Sequence, residues 1–333
     1  GRPPPFARAG AMPQKRDVTL TVFMEGTANP MDPITTQIAL FSRICKATPL
    51  RTQEVRPPRF QSARLAEDCA YKLSFPGCGV SHGLRGTLFG HGLKEQVGIV
   101  RGYLEAWVHN GSTVTVNFVG LSRGGIGGLY LAQELTGFRA EQVIVNLLLF
   151  DPVPGDLIWM SRFMDWAGVM NSNLAMDVSA APNLGRVLVL YPYEPLPAIA
   201  FHAPLLAKFP PGCQLEEDVI LGCHQGALWL RPAADTCLAF ARVRDFLLEC
   251  GSRIDTQQSH ARDLDVHPKL LADMLAGELR REEPSVRSAH APVAGSLVVR
   301  HATGQFLNRF HRVLLQRLNA AAQPDPASRR PLY

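Results

Sequence analysis

The sequence predicts an α/β domain built on a doubly wound, mostly parallel sheet with helices on both faces. Three observations carry that prediction. Short apolar runs at Val18 to Met24, Tyr71 to Phe75, Thr113 to Val119, Val143 to Phe150, Arg186 to Tyr191 and Asp218 to Leu221 alternate with stretches of helical periodicity. The central runs are almost continuously apolar, as parallel strands covered on both faces require; V-I-V-N-L-L-L-F at 143–150 is broken only by Asn146. Gly26, Pro76, Gly77 and Gly222 punctuate the ends of these runs.

Taken in chain order, T-L-T-V-F-M closes a first buried strand at Met24, and a helix is expected from Pro33 to Lys46. The Arg- and Pro-rich stretch from Thr48 to Leu65 reads as loop. Tyr71 to Phe75 follows as a strand stopped by Pro76 and Gly77. From Gly77 to Gly92 six glycines fall in sixteen residues, which no regular element tolerates, so a long loop near the presumed site is expected. Leu93 to His109 places Val97, Val100, Leu104 and Trp107 on one helical face. A strand to Val119 and a helix from Gly124 to Leu135 come next, then the strands at 143–150, 186–191 and 218–221. Helices are expected at Thr236 to Leu248, Pro268 to Leu279 and Gln305 to Leu318. The last aligns Phe306, Phe310, Val313, Leu314 and Leu318 as a packing face.

With 333 residues, 46% hydrophobic and 19% charged, the chain is expected to form one domain over 17–320, with a disordered Pro-, Arg- and Ala-rich arm at 1–16 and a frayed tail at 321–333. The net charge of +5 is dispersed, with no basic block interleaved with aromatics. Nucleic acid is therefore not an expected partner, while peripheral contact with an anionic lipid surface stays open. The seven cysteines are odd in number and include no C-x-x-C pair, which points to reduced thiols and neither a disulfide frame nor a zinc site. Residues 1–16 hold no apolar core of a secretory signal, and no apolar run approaches the ~20 residues of a membrane span; a cytoplasmic protein is the expectation.

The chemistry is concentrated at Gly120-Leu121-Ser122-Arg123-Gly124. A serine at a sharp strand-to-helix turn is held in a strained conformation with its hydroxyl exposed, and small residues two before and two after let the backbones cross. At the head of the helix the amide of Arg123 would face an oxyanion formed beside Ser122. Such a serine needs a histidine to take its proton and a carboxylate to fix the histidine's tautomer. Of the histidines after Ser122, only His224 directly follows a short apolar run, V-I-L-G-C, at a strand's carboxyl end. Asp151 closes L-L-L-F-D, where a carboxylate is costly without a partner, and is the favoured acid. Glu194 is the alternative acid, after V-L-V-L-Y-P-Y, and Asp156 a weaker third. A second oxyanion donor is expected from Gly26 or Thr27 in E-G-T-A-N, with Asn29 holding the turn. His82 and His91 have no carboxylate between them, and neither a metal nor another cofactor is expected.

Together F-M-E-G-T-A-N, G-C-G-V-S-H-G, G-L-S-R-G-G, L-F-D-P-V-P-G and L-G-C-H-Q-G-A-L resemble the α/β-hydrolase domain family of fungi and bacteria that includes type VI secretion phospholipase effectors. The likeness spans roughly residues 18–230. It implies an α/β-hydrolase-like sheet, Ser122 as nucleophile, Asp151 as acid, His224 as base, and cleavage of a lipid or phospholipid ester. Glu25 stands where that family carries Asp, Pro152 where it carries Thr, and Gln225-Gly226-Ala227 where it carries x-Asp-x. An inactive fold kept as a binding module, and an acyltransferase or thioesterase using the same three residues, are the alternative expectations.

Overall fold

A computed structural model describes residues 16–52, 69–77, 92–153, 177–194, 205, 207–279, 290–293 and 296–299. The arm and tail, the helix expected at 305–318, Asp156, His82, His91 and most of the glycine-rich loop lie outside the described residues.

The strands are β1 (Asp17–Met24), β2 (Thr48–Pro49), β3 (Ala70–Phe75), β4 (Thr113–Leu121), β5 (Val143–Phe150), β6 (Leu184–Glu194) and β7 (Gln214–Cys223). They form one seven-stranded sheet in the order β2-β3-β1-β4-β5-β6-β7, with every pairing parallel. From β1 the chain passes to the edge strand β2, returns to β3 beside β1, then crosses to β4 on the other side and continues that way. The loops after β1 and β4 therefore diverge at a topological switch point, the place at the carboxyl ends of the strands where open α/β sheets bind ligands. A separate antiparallel hairpin joins β8 (His290–Val293) to β9 (Ser296–Val299).

The helices are α1 (Gln37–Ile44), α2 (Leu93–His109), α3 (Arg123–Glu134), α4 (Ala234–Glu249), α5 (Ser259–Leu264) and α6 (Pro268–Leu279). On one face of the sheet α2 packs beside α3, and on the other α1 and α4 meet through Phe41 and Phe240, whose rings stack at 4.7 Å. Between them the middle strands are dry: Val116, Phe118, Val145, Leu147 and Val187 are all fully buried. The predicted two-sided burial of the apolar runs is thus observed.

Three expected elements changed extent. The helix expected from Pro33 begins at Gln37, because Thr36 takes the N-cap and accepts the amide of Ala39. The expected loop at Thr48 opens with a two-residue edge strand against β3. The short run at Asp218 to Leu221 is the end of a ten-residue strand, since Q-L-E-E lies on the sheet edge, where Arg242 of α4 bridges Glu216 and Asp218 at 2.5 and 3.5 Å.

Candidate active site

Ser122 follows β4 directly. Its φ of 57° and ψ of −117° lie outside the regions that L-residues favour, and its side chain makes no helix-capping hydrogen bond. The strain is held on both sides. Ser122 donates its amide to Phe150 O at 2.9 Å, which prolongs the β4–β5 ladder, and Ile126 donates to Ser122 O at 3.2 Å, which starts α3. The flanking glycines are required by contact: a Cβ on Gly120 would lie 2.5 Å from the Gly124 carbonyl, and one on Gly124 would lie 2.3 Å from Met24 O. Helix α3 therefore crosses β1 and β4 more closely than any side chain permits.

Asp151 repeats this arrangement one strand along. Leu121 of β4 and Phe150 of β5 are registered partners, so Ser122 and Asp151 stand level at the head of the sheet. Asp151 also has positive φ, at 45°, and donates its amide to Leu190 O of β6 at 2.8 Å. Its side chain is fully buried, and its Oδ2 hydrogen-bonds Nδ1 of His224. His224 comes one residue after β7 and reaches back over β6 to meet it. Gly222, at φ 94°, provides the turn that directs the chain into this loop.

The first loop is organised by Glu25, only 1% exposed. One carboxylate oxygen accepts the Gly26 amide at 3.1 Å and Asn29 Nδ2 at 3.3 Å, while the other accepts the Thr36 hydroxyl and the Ala39 amide at 3.2 Å. Burial pushes the Glu25 carboxyl above its usual range despite these donors. The Gly26 amide is thus turned toward Glu25, which narrows the expected pair of oxyanion donors in this loop to Thr27. Arg123, buried at the head of α3, donates from its guanidinium to Thr27 Oγ1 at 3.0 Å and ties this loop to the elbow.

Sequence reasoning named Ser122, Asp151, His224, Arg123, Gly26 and Thr27, and the structure brings all six to the carboxyl end of β1, β4, β5 and β7. The alternative acid Glu194 ends β6, registered with Cys223, and His224 is bonded to Asp151. His260 and His267 are exposed on the α5 and α6 side. Glu25 and Gln225 were read only as departures from a pattern, yet Glu25 showed the same signal as Asp151, a carboxylate ending an apolar strand. Gln37, fully buried, was missed altogether. Among the described residues no cluster of three His, Cys, Asp or Glu is placed to hold a metal ion.

A wholly parallel, doubly wound sheet with a strained serine at the strand-to-helix turn after a central strand is an α/β-hydrolase-like fold. No family model and no curated protein matches the chain. An uncharacterized protein from Pseudomonas aeruginosa superposes at TM-score 0.50 and 11% identity over 81% of this chain and 51% of its own, so this chain spans about half of its length. A putative hydrolase from Agrobacterium vitis S4 superposes at TM-score 0.40 and 18% identity, covering 69% of this chain and 88% of that one. Est1E from Butyrivibrio proteoclasticus follows at TM-score 0.37 and 13% identity, covering 72% and 91%.

Proposed function

We propose that the protein is a serine hydrolase that cleaves carboxylic esters through an acyl-enzyme. The observation that carries the reading is the His224–Asp151 hydrogen bond, made at the head of the sheet level with the strained Ser122. Ser122 Oγ attacks the ester carbonyl carbon while Nε2 of His224 takes its proton, and Asp151 stabilises the imidazolium through Nδ1. The amides of Arg123 and Thr27 receive the oxyanion, with the dipole of α3 adding positive potential. His224 then protonates the departing alcohol. Water, deprotonated by the same nitrogen, releases the acid and restores Ser122.

The substrate class we assign is a lipid or phospholipid ester, on the motif resemblance together with the dispersed positive charge, which suits an anionic lipid surface. The test is labelling of the purified protein with a fluorophosphonate whose attachment site is mapped by mass spectrometry. Attachment at Ser122 that disappears in both Ser122→Ala and His224→Ala is expected. A folded wild type that takes no label would end the hydrolase reading and leave a binding module. Unlabelled wild-type protein from a preparation that takes the label would then be offered esters of short and long acyl chains, with and without a phosphate headgroup. Faster turnover of the short, headgroup-free ester would overturn the lipid assignment alone.

A further inference from the structure

The loop bearing His224 is held from the far side of the sheet. Gln225 Nε2 donates to Asn29 Oδ1 at 3.0 Å, although β7 and β1 are separated by β6, β5 and β4. Beyond it, Gln37 Nε2 lies 3.3, 3.2 and 2.8 Å from the carbonyls of Ala227, Trp229 and Thr236, so one buried amide gathers the remainder of that loop onto the start of α1. Asn29 is itself immobilised. Its Nδ2 donates to Glu25, its amide donates to Gly26 O at 3.1 Å, and its carbonyl accepts the Gly77 amide at 2.9 Å. Gly77 approaches so closely that a Cβ there would fall 1.7 Å from Gly26 O.

We propose that Gln225 and Asn29 are positioning residues that set His224 over Ser122. Asp151 anchors the imidazole from the β5 side and the Gln225–Asn29 bond anchors the adjoining backbone from the β1 side; β4, which leads into Ser122, lies between these two anchors. Asn29 is two residues from Thr27, so the same bond keeps base and oxyanion donor in one rigid unit. Because both partners are neutral amides, the strap adds no charge beside the histidine. The inference rests on the proposed hydrolase activity.

Five variants test it: Gln225→Glu, which keeps the reach and removes the donor; Gln225→Ala; Gln225→Lys, which restores an N–H donor; Asn29→Ala; and Gln225→Ala combined with Asn29→Ala. The readouts are the fluorophosphonate labelling rate at Ser122, kcat and KM on p-nitrophenyl butyrate, and the melting temperature. Gln225→Glu and Gln225→Ala are expected to lower kcat and labelling rate about tenfold with KM within about twofold, a loss confined to the transition state. Gln225→Lys recovers most of the rate. The double variant is no slower than Asn29→Ala alone, as two members of one unit require. Wild-type kcat in Gln225→Ala, or losses that multiply in the double variant, would overturn the inference while leaving labelled Ser122 intact. A wild type unlabelled at Ser122 overturns both.

Discussion

Two buried polar groups cross this sheet, and they are built on opposite principles. Halfway along the strands, Thr21, Asn117 and Asn146 are registered neighbours on β1, β4 and β5. Thr21 Oγ1 meets Ser252 Oγ at 2.8 Å; Asn117 donates to Cys250 O and Ser252 Oγ and accepts from Asn146, which accepts the Arg186 amide at 3.1 Å. The three strand residues are neutral amides or a hydroxyl on strand backbone, each hydrogen-bonded to a neutral partner. At the strand ends, Ser122 and Asp151 sit on strained backbone, and the buried groups include two carboxylates and an imidazole. The first cluster joins the sheet to the loop after α4. The second holds ionisable groups where water and the fold alone would not keep them. Buried polarity by itself therefore does not single out a candidate site; at the strand ends it comes together with backbone strain and ionisable groups.

The largest effect expected from this contrast is that of Asp151→Asn. It should lower ester turnover by about 10³–10⁴-fold through the wrong histidine tautomer, with little loss of stability because a buried charge is removed. Turnover and a denaturant melt measure the two. A variant that melts early while still turning over would erase the distinction between the clusters.

Asn117→Ala is expected to do the reverse. It strands Asn146 Nδ2 and the Cys250 carbonyl, costing about 2–3 kcal/mol, while the labelling rate at Ser122 in folded protein stays at the wild-type value. A labelling rate that fell with stability would show that the amide row and the strand-end site are one device.

The smallest and most diagnostic effect concerns Glu25. Its folded pKa is raised above the ordinary 4.5, so the folded state binds the proton more tightly than the unfolded state. The stability it contributes is complete below about 4.5 and declines as pH rises through the folded value. The melting temperature of wild type relative to Glu25→Gln should therefore fall as pH is raised across that window. A flat difference would place Glu25 with the neutral mid-sheet cluster instead.

Much of this was legible in the chain. The bounds of α2, β5 and α6 coincide with those read from the sequence, and in α2 and along most of β5 the apolar positions behind that reading are buried. The fold class is borne out for the same reason. Where polar residues carry an element, the pattern is silent: the edge half of β7 needs Arg242 to reveal it, and α5 is six residues long with only Ala261 and Leu264 buried. The carboxylate that follows β5 stood out as a costly charge after an apolar run, whereas Glu25 after β1 carried the same signal and was read only as a departure from a pattern. Of their partners, His224 was legible as a base at a strand end, while Thr36 and Asn29 meet Glu25 only through the folding of the β1–α1 connection.

What the sequence determined by itself was the alternation of apolar strands and helices, and the glycines that oblige the chain to turn sharply at Ser122. Both are local, because side-chain period and the space a missing Cβ leaves are written within a few residues. Only the tertiary structure decided that His224 meets Asp151, that Gly26 spends its amide on Glu25, and that Gln225 reaches Asn29 across three intervening strands. Those pairings depend on strand order and on the level at which each strand ends, which parallel register sets and local composition does not encode.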